Sequence, residues 1–406
     1  MSERAGSPEA ASAGVPQGPI VEYEVRLLLR LPNLEVARLS ANTYAISARG
    51  FNGTLADKLL VLIDGRSVYS PLYGGVYWDR QQVLPEDIDR IEVISGPGGT
   101  VWGANAVNGV INIITRKSSD TQGGFASLGA GNRDGMGALQ YGGRLGAAAT
   151  YRVYGTGFYG RDSEQASGTS ARDGWHKYQA GFRFDRTPAT DVVTVEGDAY
   201  RGREEQLLTG ENLLARWTHR LDGGSLVQVQ GYYDETRRFT HDGGGGFALD
   251  TYDIELQHSF RLNSWNSIAW GGGERINQWR VLDWWCLSAG LDVQHEKLKF
   301  KLGSSRFGGI AQAGDDPDHR MLLRSSMNVS PRIALDAGLR EAGKLHDPVV
   351  SSYTEVDARI GWDATPWLQF SLAGFDLLRS RHLAFVSPPT ANYVARTFVA
   401  TAQMRF

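Results

Sequence analysis

From Gly123 to Phe406 the chain alternates apolar and polar residues in segments of about ten residues, about fifteen in all, divided by turn residues. In Trp175 to Asp185, His176, Tyr178, Ala180, Phe182 and Phe184 share one face, and Lys177, Gln179, Arg183 and Asp185 share the other. Tyr252, Ile254, Leu256 and Phe260 likewise oppose Thr251, Asp253, Glu255 and Gln257. Val356, Ala358, Ile360 and Trp362 oppose Glu355, Asp357 and Arg359. At the end of the chain, Phe398, Ala400, Ala402, Met404 and Phe406 oppose Thr397, Thr401, Gln403 and Arg405. A period of two is that of a strand, whose successive side chains point to opposite faces. Soluble sandwiches and propellers alternate too, but their strands are commonly ~5–6 residues long. Strands of ~10 residues with aromatics near their ends predict a transmembrane β-barrel, apolar face to lipid and polar face to the lumen.

Composition narrows the field further. The chain has 406 residues and a net charge of −3, with Trp 11, Tyr 16 and Phe 15, too aromatic for a disordered polymer. Mean hydropathy is −0.31, and no run of ~18 apolar residues predicts a membrane-spanning helix. The near-neutral charge argues against a general nucleic-acid binder. Gly is unusually frequent, 50 residues, with no collagen-like period. A single cysteine, Cys286, excludes an internal disulfide framework and a paired-cysteine metal site.

The first part of the chain reads differently. Residues 1–26 are largely a polar tail, expected to be disordered, and Arg4 is followed by no apolar stretch of the kind an export signal needs. Val25 to Leu31 is a short apolar run, read as a helix or strand entering a turn, with Leu31 biased towards extended geometry by Pro32. Residues 40–116 have mixed character. Leu59 to Ile63 is a continuous apolar run closed by Asp64-Gly65, a strong hairpin signal. Pro85-Glu86-Asp87-Ile88 starts like a helix. Ile91 to Ile94 and Val110 to Thr115 read as strands, with a sharp reversal at Gly96-Pro97-Gly98-Gly99 between them. This predicts a small α+β domain.

Four stretches in this block carry a resemblance. They are Ala48-Arg49-Gly50-Phe51, Val61 to Arg66 through Asp64 and Gly65, Glu86 to Pro97 through Arg90, Glu92 and Gly96, and Trp102 to Thr115 through Gly103, Asn108 and Gly109. In this order, and with Gly98 beside Pro97, they resemble the plug domain of TonB-dependent outer-membrane receptors. The strand ending in Phe406 is similar to the terminal strands by which the barrel assembly machinery recognises outer-membrane proteins. The resemblance implies a mainly β protein: a polar tail (1–26), a plug domain (27–120), then an antiparallel transmembrane β-barrel (121–406) set in outer-membrane lipid. It implies energy-coupled uptake of a scarce ligand, most often a ferric siderophore, less often cobalamin or haem, driven by a TonB-type energy transducer. It implies no enzyme activity, cofactor or nucleic-acid partner. Arg90 and Glu92, two apart on one strand face, are expected to pair with charges on the barrel's inner wall, such as Arg183, Asp253, Glu255 or Arg359.

Three departures from the family shape the expectation. Gly18 to Val25 is the nearest segment to a TonB box and a poor one. The plug's opening strand and helix are expected before Leu27 and are not evident there. Residues 121–406 carry about 14–16 strands, whereas the family's 22 strands need roughly 450–550 residues. The missing strands are expected to fall between about Ile276 and Trp284. A truncated, non-transporting remnant is therefore an alternative reading, and a soluble β-rich binding protein a third.

The remaining constellations carry less chemistry. The eight histidines show no metal-ligand spacing within an element, so no metal is expected. Asp315-Asp316-Pro317-Asp318 reads as a solvated turn, Gly243 to Gly246 as a loop tip, and Trp284-Trp285 as part of an interfacial girdle. Gly129-Ala130-Gly131 opens no helix and so is no dinucleotide site.

Overall fold

The continuous apolar run Leu59 to Ile63 is a strand covered on both faces. The computed structural model describes residues 10–14, 34–48, 58–70, 74–95, 102, 105–165, 167–204, 206–240, 246–261, 267–282, 285–290, 320–346, 349–384 and 392–406. Within the first block the strands are β1 (Ala10–Gly14), β2 (Glu35–Arg38), β3 (Tyr44–Ser47), β4 (Leu59–Ile63), β5 (Arg66–Ser67), β6 (Ile88–Ser95) and β7 (Gly109–Thr115). Five of them form one sheet in the order β1-β6-β7-β4-β5, with β2 and β3 a separate hairpin. Leu59, Val61 and Ile63 join a core with Ile46, Trp78, Ile88, Ile91, Val93, Ile111 and Ile113. Leu60 turns the other way, onto Ala106 and Val110, with Leu62, Ile94 and Trp102 against them. That two-sided burial is why β4 is uniformly apolar rather than alternating. Asp64 and Gly65 both take positive φ, 49° and 87°, the backbone of a two-residue hairpin turn whose twist suits the flanking strands. The helix expected at Pro85 is a single 3-10 turn, Pro85–Asp87, because Ile88 already belongs to β6 and pairs with β7.

The second block is one large antiparallel sheet. Its strands in chain order begin with β8 (Gly123–Gly131), β9 (Asp134–Leu145) and β10 (Ala149–Gly160), followed by the short β11 (Glu164–Gln165) outside the sheet. Then come β12 (Trp175–Arg186), β13 (Asp191–Arg203), β14 (Gln206–Arg220), β15 (Leu226–Thr240), β16 (Gly246–Arg261), β17 (Ser267–Leu282) and β18 (Trp285–Gly290). The last part holds β19 (Arg320–Ser330), β20 (Ile333–Ala342), the short pair β21 (Leu345–His346) and β22 (Val349–Val350), β23 (Tyr353–Thr365) and β24 (Leu368–Phe375). The short β25 (Arg381–His382) and β26 (Asn392–Ala395) precede the final strand β27 (Thr397–Arg405). Among the described residues fifteen strands join the sheet, running from β18 back to β8, then β27, β24, β23, β20 and β19. The terminal strand thus pairs with the first barrel strand, Val399 opposite Gly131 and Arg405 opposite Phe125. The expected junction near Ile276 falls within β17, which holds register with β16 through Arg280 before turning into β18.

The sheet is inside out relative to a soluble protein. On β12, Tyr178 is 62% exposed and Phe182 41%, whereas Lys177 is 1% and Asp185 4% exposed. The same inversion recurs at Leu128, Leu139, Ile254, Trp362 and Leu372, all large, apolar and exposed. Water would penalise such a surface at about 25 cal/mol per Å², and hydrocarbon does not. Connections at one end are short, as at residues 146–148, 187–190, 331–332 and 366–367; those at the other end include 161–174 and 376–396. Short turns mark the periplasmic end and longer loops the outer end.

Candidate functional site

The first block sits against the polar face of the sheet, and its turns make the contacts. The Asp64 carboxylate accepts from the Thr115 amide (2.9 Å) and hydroxyl (2.7 Å), which locks the β4–β5 turn to the end of β7. Arg183 on β12 approaches the same carboxylate at 3.7 Å and donates to the Thr115 hydroxyl at 2.8 Å. Arg216 of β14 donates to the Asp64 carbonyl, and Gln230 of β15 donates to the Gly65 carbonyl at 3.2 Å. A Cβ on Gly65 would lie 2.8 Å from the Arg216 guanidinium, so glycine serves here for both φ and space.

Further contacts ring the block. Arg66, 5% exposed, pairs with Asp234 on β15. Asp79 pairs with Arg238 at 2.6 Å, and Arg238 also pairs with Glu204. The fully buried Lys177 donates to the Arg80 carbonyl and lies 4.6 Å from the Tyr200 ring centroid. Gln179 donates to the Gln82 carbonyl at 2.9 Å. Asp87 meets Arg152 at 3.3 Å, and Gln403 on β27 donates to Glu86 at 2.5 Å. The Ser118 amide and hydroxyl both donate to Asp185, at 2.7 and 2.8 Å.

This interface is polar, charged and largely buried. Burial is the leading cause that raises the Glu86 carboxyl to about 7, with Asp87 nearby adding to it. Burial likewise lifts Asp87 to about 6, opposed by Arg152. Buried ion pairs of this kind contribute little net stability, because desolvation offsets their attraction, but losing one partner is costly. They therefore define how the block is seated more than how tightly it folds.

The candidate residues fall into distinct places. Asp64 and Gly65 lie at the seat itself. Gly109 opens β7, where an added Cβ would sit 2.7 Å from the Ile94 carbonyl. The Asn108 amide donates to Lys58 at 2.9 Å, bridging into the start of β4. Trp102 packs half-buried against the Leu60 cluster. Phe406 lies over Gly124, with backbone hydrogen bonds in both directions between the two residues. Arg49, Gly50, Gly96, Pro97, Gly98 and Gly103 lie outside the described residues, as do Gly18 to Val25 and Asp315 to Asp318.

The expectation for Arg90 and Glu92 is corrected. They do share a face of β6, but Arg90 pairs with Glu92 (2.8 Å) and Asp89 (2.7 Å) and is exposed. Glu92 also accepts from Asn112 at 3.0 Å. The wall charges are engaged elsewhere: Asp253 with Arg275, Arg359 with Asp336, and Arg183 with Asp185 and Glu196. Turns project toward the wall while β6 offers its charges to water, and spacing along one strand cannot distinguish those cases. The wall residues Arg152, Arg216, Gln230, Asp234 and Arg238 were not singled out from the sequence. Their one signal was occupancy of the polar face of an alternating strand.

At the outer end the β2–β3 hairpin meets the loops. Ala37, Leu39 and Ala45 pack with Ala342, Val350, Tyr353, Ala384 and Val394. Asp173 in the 161–174 connection accepts from the Ala41 amide at 2.7 Å. β11, β26 and β25 form a small sheet joining two outer loops, with Arg381 paired to Glu164. Just below it lie Glu355, Asp376 and His382, all buried. Burial, then Arg340 and Arg379, hold the His382 imidazole neutral, its pKa lowered to about 4.

A folded, polar block seated in a lipid-facing barrel is the decisive combination, and the comparisons agree with it. The family model for the TonB-dependent receptor plug domain matches residues 25–110. The chain carries the plug domain of the TonB-dependent receptor family. Over 129 residues it is 36% identical to the vitamin B12 transporter BtuB of Vibrio vulnificus, covering 30% of this chain and 20% of that protein. Over 292 residues it is 26% identical to the ferrienterobactin receptor of Escherichia coli, covering 65% of this chain and 36% of the relative. The chain thus spans well under half the length of these curated relatives. In fold it is similar to a variant of the ferric enterobactin receptor of Pseudomonas aeruginosa, TM-score 0.72 at 12% identity over 98% of both chains. It is also similar to the ferripyoverdine receptor of the outer membrane of the same organism, TM-score 0.68 at 10% identity, over 100% of this chain and 87% of that one. The first block of this receptor is its plug, the large sheet is its barrel, and its compartment is the outer membrane.

Proposed function

We propose that this receptor takes up a scarce anionic chelate, a ferric siderophore first among them, across the outer membrane. The observation that carries the reading is the plug seat: buried charges of Asp64, Arg66, Asp79 and Asp87 meet wall partners on β10, β12, β15 and their neighbours. A plug held this way blocks passive leakage, and moving it takes work. The outer membrane has no nucleotide supply, so a TonB-type transducer reaching from the inner membrane is the proposed source. Hydrocarbon around the barrel and the barrel assembly machinery at the Phe406 strand are the other proposed partners.

Charge at the outer end supports an anionic ligand. Among the described residues of that end, Arg161, Arg172, Arg203, Lys344 and Arg379 stand exposed beside Asp162, and Arg381 is exposed in a pair with Glu164. Such a cationic mouth concentrates anions by long-range attraction. Ferric enterobactin and ferripyoverdine are named for relatives, and so is vitamin B12.

The test uses cells lacking their own siderophore receptors and expressing this chain. Radio-iron carried by catecholate and hydroxamate chelates is followed with and without an uncoupler of the inner-membrane gradient, with labelled cobalamin in parallel. Uptake of a ferric chelate that the uncoupler abolishes supports the proposal. Cobalamin uptake alone would replace the ligand, and surface binding without uptake would favour a non-transporting receptor.

A further inference from the structure

Three side chains from three elements meet below the outer loops. Glu355 stands on β23, Asp376 directly follows β24, and His382 lies on β25. One donor atom from each lies within 4.8 Å of the other two. Glu355 is 1%, His382 5% and Asp376 8% exposed. Their hydrogen bonds are incomplete. Glu355 Oε2 accepts from the Leu378 amide at 3.1 Å, and Asp376 Oδ1 accepts from Arg340 at 2.8 Å. Glu355 Oε1 and His382 Nδ1, both out of solvent, make no hydrogen bond and face each other at 3.4 Å. A buried carboxylate oxygen and a ring nitrogen left so are costly, roughly 1–3 kcal/mol for each unmatched group.

We propose that Glu355, Asp376 and His382 form a binding site for one divalent transition metal of the zinc type. One imidazole nitrogen with two carboxylate oxygens is a borderline donor set that suits zinc better than calcium. Donors on a tetrahedral zinc, at bond lengths of ~2.0–2.1 Å, stand about 3.3 Å apart, close to the Glu355–His382 separation. Two carboxylates and the nearby Asp357, which accepts from the Asp376 amide at 3.0 Å, share the cations Arg340 and Arg379, so the donor set keeps a net negative charge. Three protein donors leave a fourth position for water or for a group entering the mouth.

The site would have a mechanical role. Glu355 belongs to the wall, whereas Asp376 and His382 belong to the outer connection between β24 and β27. Tyr353, whose ring centroid is 4.4 Å from that of His382, is part of the cluster that packs on the plug hairpin. A bound ion pins the loop to the wall directly above the plug.

The test takes the full chain, folded in detergent, stripped with a chelator and titrated with zinc by calorimetry and with cobalt by visible absorption. One zinc per chain is expected, with cobalt bands of a four- or five-coordinate site. Losing even a hydrogen-bond partner of a metal ligand commonly weakens a metal site 10–100-fold, so His382→Ala and Glu355→Gln should each raise Kd at least about tenfold. Heat-modifiable gel mobility confirms that each variant is folded. On the unaltered chain, zinc should slow proteolysis within residues 376–396 several-fold, and chelator should reverse this. Absence of saturable zinc binding overturns the proposal. So does binding that both folded variants retain, which would assign the ion to other histidines, and so does a loop cleaved equally fast with and without zinc.

Discussion

At the residue scale, Asp64 and Gly65 show how a local signal acquires a second function. The Asp-Gly pair is readable as a hairpin turn because its backbone demand is local. That the same turn lies under Arg216 and Gln230 is decided by β14 and β15, some 150 residues away in sequence. Gly65→Ala should therefore suffer twice, from positive φ at about 1–2 kcal/mol and from the clash with the guanidinium. The expected readout is faster amide exchange at Thr115 in the folded receptor, and unchanged exchange would contradict it. Asp64→Asn removes charge from a carboxylate that holds Thr115 and faces Arg183. A loss of about 1–3 kcal/mol in local stability is expected, measured by the same exchange. Glu86 and Asp87 give a pH dependence with a definite sign. Both carboxyls are raised in the folded state, to about 7 and about 6, so their contribution favours the seated plug at low pH. It is lost as pH rises through the folded values, between about 5 and 8. Exchange at Asp87 and Arg116 should speed up across that window, and Glu86→Gln should flatten the response. A seat that tightens on raising the pH would refute this. The misplacement of Arg90 and Glu92 belongs to the same scale. Their shared face was legible, but whether that face met wall or water was not.

At the element scale, the alternation foretold both the strands and their orientation. About fifteen alternating segments correspond to a sheet of fifteen strands because period two is a property of the strand itself. The exposed apolar positions make a further prediction. Arg in place of Ile254 or Leu128 should cost roughly 2–4 kcal/mol if the position lies near the bilayer midplane, in reversible unfolding from lipid vesicles. The same change in a soluble sandwich would cost almost nothing, so a null result would count against the membrane assignment. Glycine abundance also acquires an explanation at this scale. Aromatic rings lie over strand glycines, Tyr159 over Gly135, Tyr151 over Gly143 and Tyr154 over Gly181, where an added Cβ would come within 2.7 Å of ring carbon. Such pairs cover backbone that glycine would leave bare. The helix expected at Pro85 shrank to one turn because ladder pairing of Ile88 with Thr115 outweighs a weak local propensity.

At the scale of the whole molecule, strand pairing and seating are joint properties. β27 pairs with β8, with Phe406 against Gly124, and the same strand sends Gln403 inward to Glu86 of the plug. Combining Arg66→Ala with Arg238→Ala removes two plug–wall pairings, both made to β15. The double variant should leak, raising cell sensitivity to a large antibiotic normally excluded by the outer membrane. Wild-type exclusion in a well-expressed, heat-modifiable variant would show that other contacts suffice. By itself, the sequence determined the strands, the lipid-facing stripe, the Asp64-Gly65 turn and the plug's family likeness, because each is written within about ten to twenty consecutive residues. The tertiary structure alone decided which wall residue meets which plug turn, that Arg90 and Glu92 satisfy each other, and that Glu355, Asp376 and His382 converge. Those outcomes depend on strand register and on how far one surface rotates against another. A one-residue slip in register would exchange every inward side chain for an outward one while leaving the period-two pattern unchanged.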